Sequence, residues 1–293
     1  MTAWLDIVLG GLFHAAILFL VAAGLQLVFG VQKILNLACG SFYALGAYFA
    51  ITAVSAMTGA GIPITYFFPV LLASGLLIGL VGLPVERLLR TVYRREESHQ
   101  LLLTFGLLLI SQDVLRYFWG ATPRTMEKAY LAFGTVGIGG AQVPVYNLAV
   151  IAASIVLASL LGFLLQKTAF GKIVRATAEN PGMAEGLGAD SGKVYAVVFT
   201  AGCMLGTLGG ALVVPASAAS LDMPVELIVE AFAVVVIGGL GSMRGALLGA
   251  IIVGLVRALA ISKLPEAEVL SIYVIVIVIL IVRPGGLLGK APV

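Results

Sequence analysis

The chain has 293 residues, 61% of them hydrophobic and 11% charged, with a mean hydropathy of +1.12. An ordinary soluble domain carries about a quarter charged residues, so this composition excludes a water-facing globular enzyme and makes lipid the solvent. The net charge of +3 is too small to point to nucleic acid.

A bilayer core of roughly 30 Å is crossed by about 20 apolar residues in helical form, and such runs recur along the whole chain. In order, they predict about nine spans, with eight to ten possible, near 7–30, 35–57, 64–86, 99–119, 145–166, 193–215, 226–240, 245–262 and 268–282. The segments flanking Gly241 are also readable as one broken unit. The runs are continuously apolar rather than alternating, which selects an all-α polytopic bundle over a β-barrel. Residues 1–293 then form a single transmembrane domain that includes the polar loop 167–192.

The first run begins at Ile7 with no basic segment before it and no small-residue cleavage site before Gln26, so no cleaved signal peptide is expected. Cys39 and Cys203 lie in apolar runs without metal-ligating company and read as small buried side chains. Orientation follows from the basic residues. With loop 87–98 inside, Lys33, Arg87, Arg90, Arg94, Arg95, Lys167, Lys172, Arg175, Lys193, Arg244, Arg283 and Lys290 are cytoplasmic. That is twelve of seventeen; Arg116, Arg124, Lys128, Arg257 and Lys263 fall on the other side. An outside N-terminus and a cytoplasmic C-terminus result. The stretch from Gly120 to Asn147 is then external, a connection between helices or a surface for an extracytoplasmic partner.

Small residues mark close packing. Gly202, Gly206 and Gly210 are spaced by four, as are Gly241, Gly245 and Gly249, so each set is expected to line one helical face where backbones approach. Residues 29–50 and 237–254 share an apolar run, a glycine-containing break and a small-residue helix, a loose likeness of the kind inverted repeats leave.

Within the apolar runs, His14, Gln26, Asn36, Gln112, Asp113, Arg116, Glu226, Glu230 and Arg257 must face partners, water or a span end, because a central charge costs about 2.5–3.5 kcal/mol to insert. Asp113 and Arg116, three apart, are expected to neutralise each other. Glu226 belongs at the outer interface. For Glu230 the first role is an ion pair with Arg257, followed by lining a solute route and by carrying a proton. His14 reads as a packed or interfacial residue, since a lone histidine makes no metal set. Gln26, Asn36, Gly40, Ser41, Tyr43 and Glu230 are the candidates for the route, although those around the first helix break also have the makings of a self-satisfied junction.

The polar stretch GKIVRATAENPGMAEGLGADSGKVYA, from Gly171 to Ala196, reads as two short helices. Gly171 precedes KIVRATAE; Asn180 then caps a second helix with Pro181 at its first position, and Gly188 suits a left-handed ending. Met183, Ala184 and Leu187 cluster on that second helix as a small apolar knob, bordered by Lys172, Arg175, Glu179 and Glu185. Such a knob fits a groove on another protein or the lipid headgroup layer.

The pattern of Gly171, Arg175, Ala176, Asn180, Ala184 and Gly188 resembles the cytoplasmic coupling loop of ABC importer permeases, specifically the branched-chain amino acid permease family of the LivH type. Three further stretches carry the resemblance in order from about residue 12 to 289: GLQLVFGVQKILNLACGSFYALGAYFA from Gly24, VERLLRTVYRR from Val85, and AFAVVVIGGLGSMRGALLGAIIVGL from Ala231. The resemblance implies a permease subunit that works by alternating access in the bacterial inner membrane. It also implies a related, heteromeric second permease, two cytoplasmic ATPases that hold ATP and Mg, and a periplasmic substrate-binding protein. Met183 and Leu187 join the loop residues above as ATPase-coupling residues. No GxxxxGK[ST] phosphate loop, HExxH motif or nucleophile constellation is present, so no cofactor, catalytic residue or metal site is expected in this chain. The family often has His where Cys39 stands and Lys where Glu230 stands, which leaves room for substrates other than leucine, isoleucine and valine. An importer of the same architecture for urea, short amides or small organic acids, and a proton-coupled secondary transporter or facilitator, are the other readings.

Overall fold

The computed structural model describes residues 2–92, 97–126, 130, 133–138 and 140–289. Arg94, Arg95, Lys128 and Lys290, four of the basic residues behind the orientation, lie outside the described residues. The helices are α1 (Thr2–Gln32), α2 (Cys39–Gly59), α3 (Phe67–Gly79), α4 (Gly82–Leu89), α5 (Glu97–Trp119), α6 (Val145–Lys167), α7 (Ala169–Glu179), α8 (Pro181–Gly186), α9 (Ser191–Val213), α10 (Met223–Gly238), α11 (Met243–Lys263) and α12 (Glu268–Val282).

Eight stretches among the described residues are long and apolar enough to span a bilayer; one of them, Ile64–Val92, runs through α3 and α4. The expected ninth, near 226–240, is α10. Its 16 residues reach about 24 Å at helical rise, short of a full crossing.

Side-chain size sorts the helices between centre and rim. The span in α9 is 78% buried and that in α2 67%, whereas Val145–Lys167 is 11% and Pro265–Val282 only 6% buried. The buried helices are rich in glycine and alanine, so backbones pack directly: a Cβ on Gly24 would meet the Gly202 carbonyl, and one on Gly210 would meet that of Tyr43. The rim helix α12 reads EVLSIYVIVIVILIV, bulky residues that gain by facing lipid and pack poorly at a close crossing. Along α1 every residue from Ala15 to Val28 is buried, which makes it the axis of the bundle.

Two interruptions shape the interior. At the end of α1, Gln32 donates to the carbonyl of Tyr195, while Cys39, the first residue of α2, lies against Gly206. Those partners are eleven residues apart on α9, about 16 Å. The non-helical segment 33–38 therefore re-enters the bundle, and the span expected from residue 35 begins with irregular chain and a turn at residues 37 and 38. Irregular backbone at such depth persists only when protein encloses it, and Asn36, 3% exposed, lies inside.

The second interruption separates α10 from α11. Gly239 and Gly241 take φ of +93° and +81°, values a Cβ would strain. The carbonyls left over at the end of α10 are all met. Ile237 and Gly238 accept from the backbone of Leu287 and Leu288 in the C-terminal tail, and Gly239 accepts from the side chain of Gln26.

The connection between α5 and α6 holds a structure that apolar periodicity did not predict. Strands β1 (Thr135–Ile138) and β2 (Ala141–Pro144) form an antiparallel hairpin, and Arg124 exchanges backbone hydrogen bonds with Ala219, which ties the connection to the segment before α10.

Candidate functional site

The polar loop between α6 and α9 is built from three successive side-chain caps. Thr168 accepts from the Gly171 amide at 3.1 Å, Asn180 from the Met183 amide at 3.0 Å, and Asp190 from the Lys193 amide at 3.0 Å. The last bond, with the Lys193 ammonium beside it, holds the Asp190 carboxyl below its ordinary value. The first helix begins earlier than the sequence suggests, because Thr168 rather than Gly171 ends the preceding chain. Gly171 sits inside α7, where a Cβ would meet the carbonyls of Leu164 and Leu165. Arg175 donates to the Leu165 carbonyl at 2.5 Å, pinning α7 beneath α6, and Ala176 is exposed.

Asn180 caps α8 with Pro181 at its start, and Gly188 follows with φ of +91°, the left-handed ending. The apolar knob is narrower than its spacing implied. Ala184 is 4% exposed and faces the bundle, while Met183 and Leu187 project outward at 67% and 84% exposure. On a helix of six residues a three-residue spacing cannot separate the inner face from the outer one, which is why Ala184 joined the cluster in the sequence.

Near the opposite end of the bundle, α1, α10, α11 and α12 bring four ionisable side chains together. Arg257 donates to Glu230 at 2.7 Å and to Glu268 at 2.6 Å. His14 Nε2 is 2.7 Å from Arg257 Nη1 and 3.0 Å from Glu230 Oε2. A ring nitrogen carries either a hydrogen or a lone pair, so Nε2 serves the carboxylate or the guanidinium but not both at once. The sequence pattern points to the Glu230–Arg257 pair and to a packed or interfacial His14, and it does not point to Glu268. The signal for Glu268 was a carboxylate at the start of an otherwise apolar helix, where it satisfies the positive helix end as well as Arg257. Beside this cluster lies a cavity of about 200 Å³ lined by Tyr43, Ser217, Ser220, Glu226 and Glu230.

The remaining route candidates are dispersed. Both ends of the Gln26 amide are engaged at the second interruption, with Gly241 N donating to Oε1 at 2.5 Å and Nε2 donating to Gly239 at 2.9 Å. Asn36 accepts from the Ala38 amide at 3.1 Å. Gly40 packs on the Pro224 carbonyl, and Ser41 Oγ is buried without a partner. Of the six, Tyr43 and Glu230 share the polar cavity. Asp113 and Arg116 are both exposed and form no ion pair, so the local neutralisation expected at that spacing does not occur.

The glycine sets divide between α9 and α11. Gly202 packs on α1 at Gly24 and Val28, Gly206 on α2 at Cys39 and Phe42, and Gly210 on α2 at Tyr43 and Ala47. Gly245 and Gly249 pack on α10 at Gly238 and Val234, but Gly241 meets nothing and lies in the turn before α11. The helix starts at Ser242, whose hydroxyl accepts from the Gly245 amide, so Gly241 falls one turn outside the packed face.

Known proteins resemble this chain along nearly its whole length. A permease from Methanocaldococcus jannaschii described as a probable branched-chain amino acid transport permease protein LivH is 29% identical, covering 96% of this chain and 91% of its own. The high-affinity branched-chain amino acid transport system permease protein LivH of Salmonella typhimurium is 26% identical over 94% and 92%, and the corresponding BraD of Pseudomonas aeruginosa 24% identical over 99% and 97%. The solved structure of PsaBC from Streptococcus pneumoniae in complex with Fab shares the fold, with a TM-score of 0.51 at 12% identity over 94% and 91% of the two chains. The family model for the branched-chain amino acid transport system permease component matches residues 7–283, and with that match the chain belongs to this permease family.

Proposed function

We propose that this chain is the membrane-embedded permease subunit of an ATP-driven importer for branched-chain or other hydrophobic amino acids, working by alternating access in a bacterial inner membrane. The named substrates of its relatives support the choice of cargo. A second, related permease subunit, two cytoplasmic ATPases that bind ATP and Mg, and a periplasmic binding protein complete the transporter. The loop containing α7 and α8 faces the cytoplasm, with the N-terminus outside and the C-terminus inside. Residues 1–293 act as one transmembrane permease domain.

The observation that carries this reading is the pair Met183 and Leu187, exposed on a capped helix that stands on the bundle through Val174, Thr177 and Ala184, all buried. Two apolar side chains on a rigid stem are a contact suited to a groove in an ATPase. Gly171, Arg175, Ala176, Asn180 and Gly188 shape the stem, and movement of the groove would be passed through α7 to α6. Glu230, held by Arg257 and adjoining His14, is better placed to keep the helices around the polar cavity in register than to ferry a proton. The cavity with Tyr43 and Glu226 is the outer part of the solute route.

The test is exchange of Met183 and Leu187 for Asp in the assembled transporter. Loss of ATPase association and of ATP-coupled uptake, with an unchanged thermal unfolding midpoint, is the expected outcome. Unaltered association removes the coupling assignment, and uptake driven by an ion gradient without ATPases removes the importer class itself.

A further inference from the structure

We propose that the groove between α1, α6, α7 and the start of α11 binds an anionic phospholipid drawn from the leaflet on the side of the coupling loop. The groove encloses about 590 Å³. Its walls are mostly apolar, with Phe19, Leu27, Leu161 and Leu247 among them, while Arg175 on α7 and Arg244 in the first turn of α11 are the charged side chains of the lining. The lining thus offers cations for a charged headgroup and apolar surface for an acyl chain.

Length agrees with one leaflet. From Phe19 to Val31 the groove follows α1 for about 18 Å, slightly more than half of a hydrocarbon core of roughly 30 Å. The floor is left open by the sequence itself, because Gly30 and Gly162 line the groove and a Cβ added at either would meet nothing within 4 Å. At Gly24, Gly46 and Gly210, by contrast, an opposing backbone carbonyl occupies that space.

The two arginines have donors to spare. Arg244 is exposed and enters no ion pair among the described residues. Arg175 commits Nη1 to the Leu165 carbonyl, which leaves Nε and Nη2 for an acceptor. Arg244 also lies in the first turn of α11, whose positive end adds to the attraction for a phosphodiester. Basic pockets between membrane helices at the level of the headgroups favour anionic lipids in this way. A choline headgroup would set its own cation against the two arginines.

The experiment uses the full chain purified in a neutral detergent and native mass spectrometry, with added phosphatidylglycerol or phosphatidylcholine. One phosphatidylglycerol is retained in preference to phosphatidylcholine. Replacing both arginines, Arg175→Gln with Arg244→Gln, lowers its retention about thirtyfold, at about fivefold for each charge, and Arg→Lys at both positions retains it. Gly162→Leu keeps both charges but fills the groove, and it also weakens retention. Equal retention of the two lipids overturns the proposal. So does full retention by Gly162→Leu, which reduces the site to a basic surface patch, and so does displacement by inorganic phosphate, which makes the ligand a free anion.

Discussion

Arg257 holds two carboxylates, Glu230 and Glu268, in a setting where its own side chain is 26% exposed. Removing the guanidinium takes the shared partner from both carboxylates and leaves only His14 against Glu230. Arg257→Ala should therefore destabilise the protein by about 3 kcal/mol or more, read as a lower unfolding temperature in detergent. Replacing Arg257 and Glu230 together by Met and Leu should recover part of that loss. Recovery comes because the penalty belongs to the unpaired charge more than to the missing bond. The pair was legible in the sequence, since two opposite charges stranded in apolar helices have few other ways to be stable. The place of His14 was not, because a lone histidine has no periodic partner to betray it. The structural task of Gln26 was not legible either: its amide, 2% exposed, bridges Gly239 and Gly241, meeting backbone groups that no side-chain pattern displays.

Among the elements, α8 and α10 show what periodicity resolves and what it loses. Capping chemistry is local, so Asn180 and Pro181 placed the start of α8 from sequence. Its inward and outward faces depend on what lies above it, so Ala184 was assigned to the wrong side. Helix α10 looked like a span because its residues are apolar. Its shortness follows from the glycine turn after Gly238 and from a tail far away in the chain that completes its last hydrogen bonds. Ending the chain after Arg283 should therefore leave the carbonyls of Ile237 and Gly238 without donors in an apolar setting. The expected loss is about 2–6 kcal/mol for the two groups. Thermal unfolding of the truncated protein measures it, and a shift no larger than that from removing residues beyond Gly289 would show that the tail caps nothing.

For the whole molecule, composition alone separated lipid from water as solvent, and the continuity of the apolar runs then selected the all-α class. The sorting of α9 to the centre and α12 to the rim was also written in side-chain size. The re-entrant segment 33–38 and the hairpin between α5 and α6 were not: the first is defined by contacts with distant helices, and the second pairs two strands of four residues each, too short for apolar periodicity to mark. Orientation is open to direct measurement. Both native cysteines are buried, so a cysteine placed at Leu187 should react with a membrane-impermeant maleimide only after the inner membrane is opened. One placed at Ala121 should react from the periplasm. The opposite pattern would turn α8 away from the cytoplasm and remove the proposed ATPase contact. The dependence of α10 on the tail also bears on biogenesis. Leu287 and Leu288 leave the ribosome some fifty residues after Gly238, and at about 5–20 residues per second the end of α10 waits several seconds for its partners. During that interval the newest part of the chain is the least settled, and chaperones or the insertion machinery have their clearest opportunity to act there.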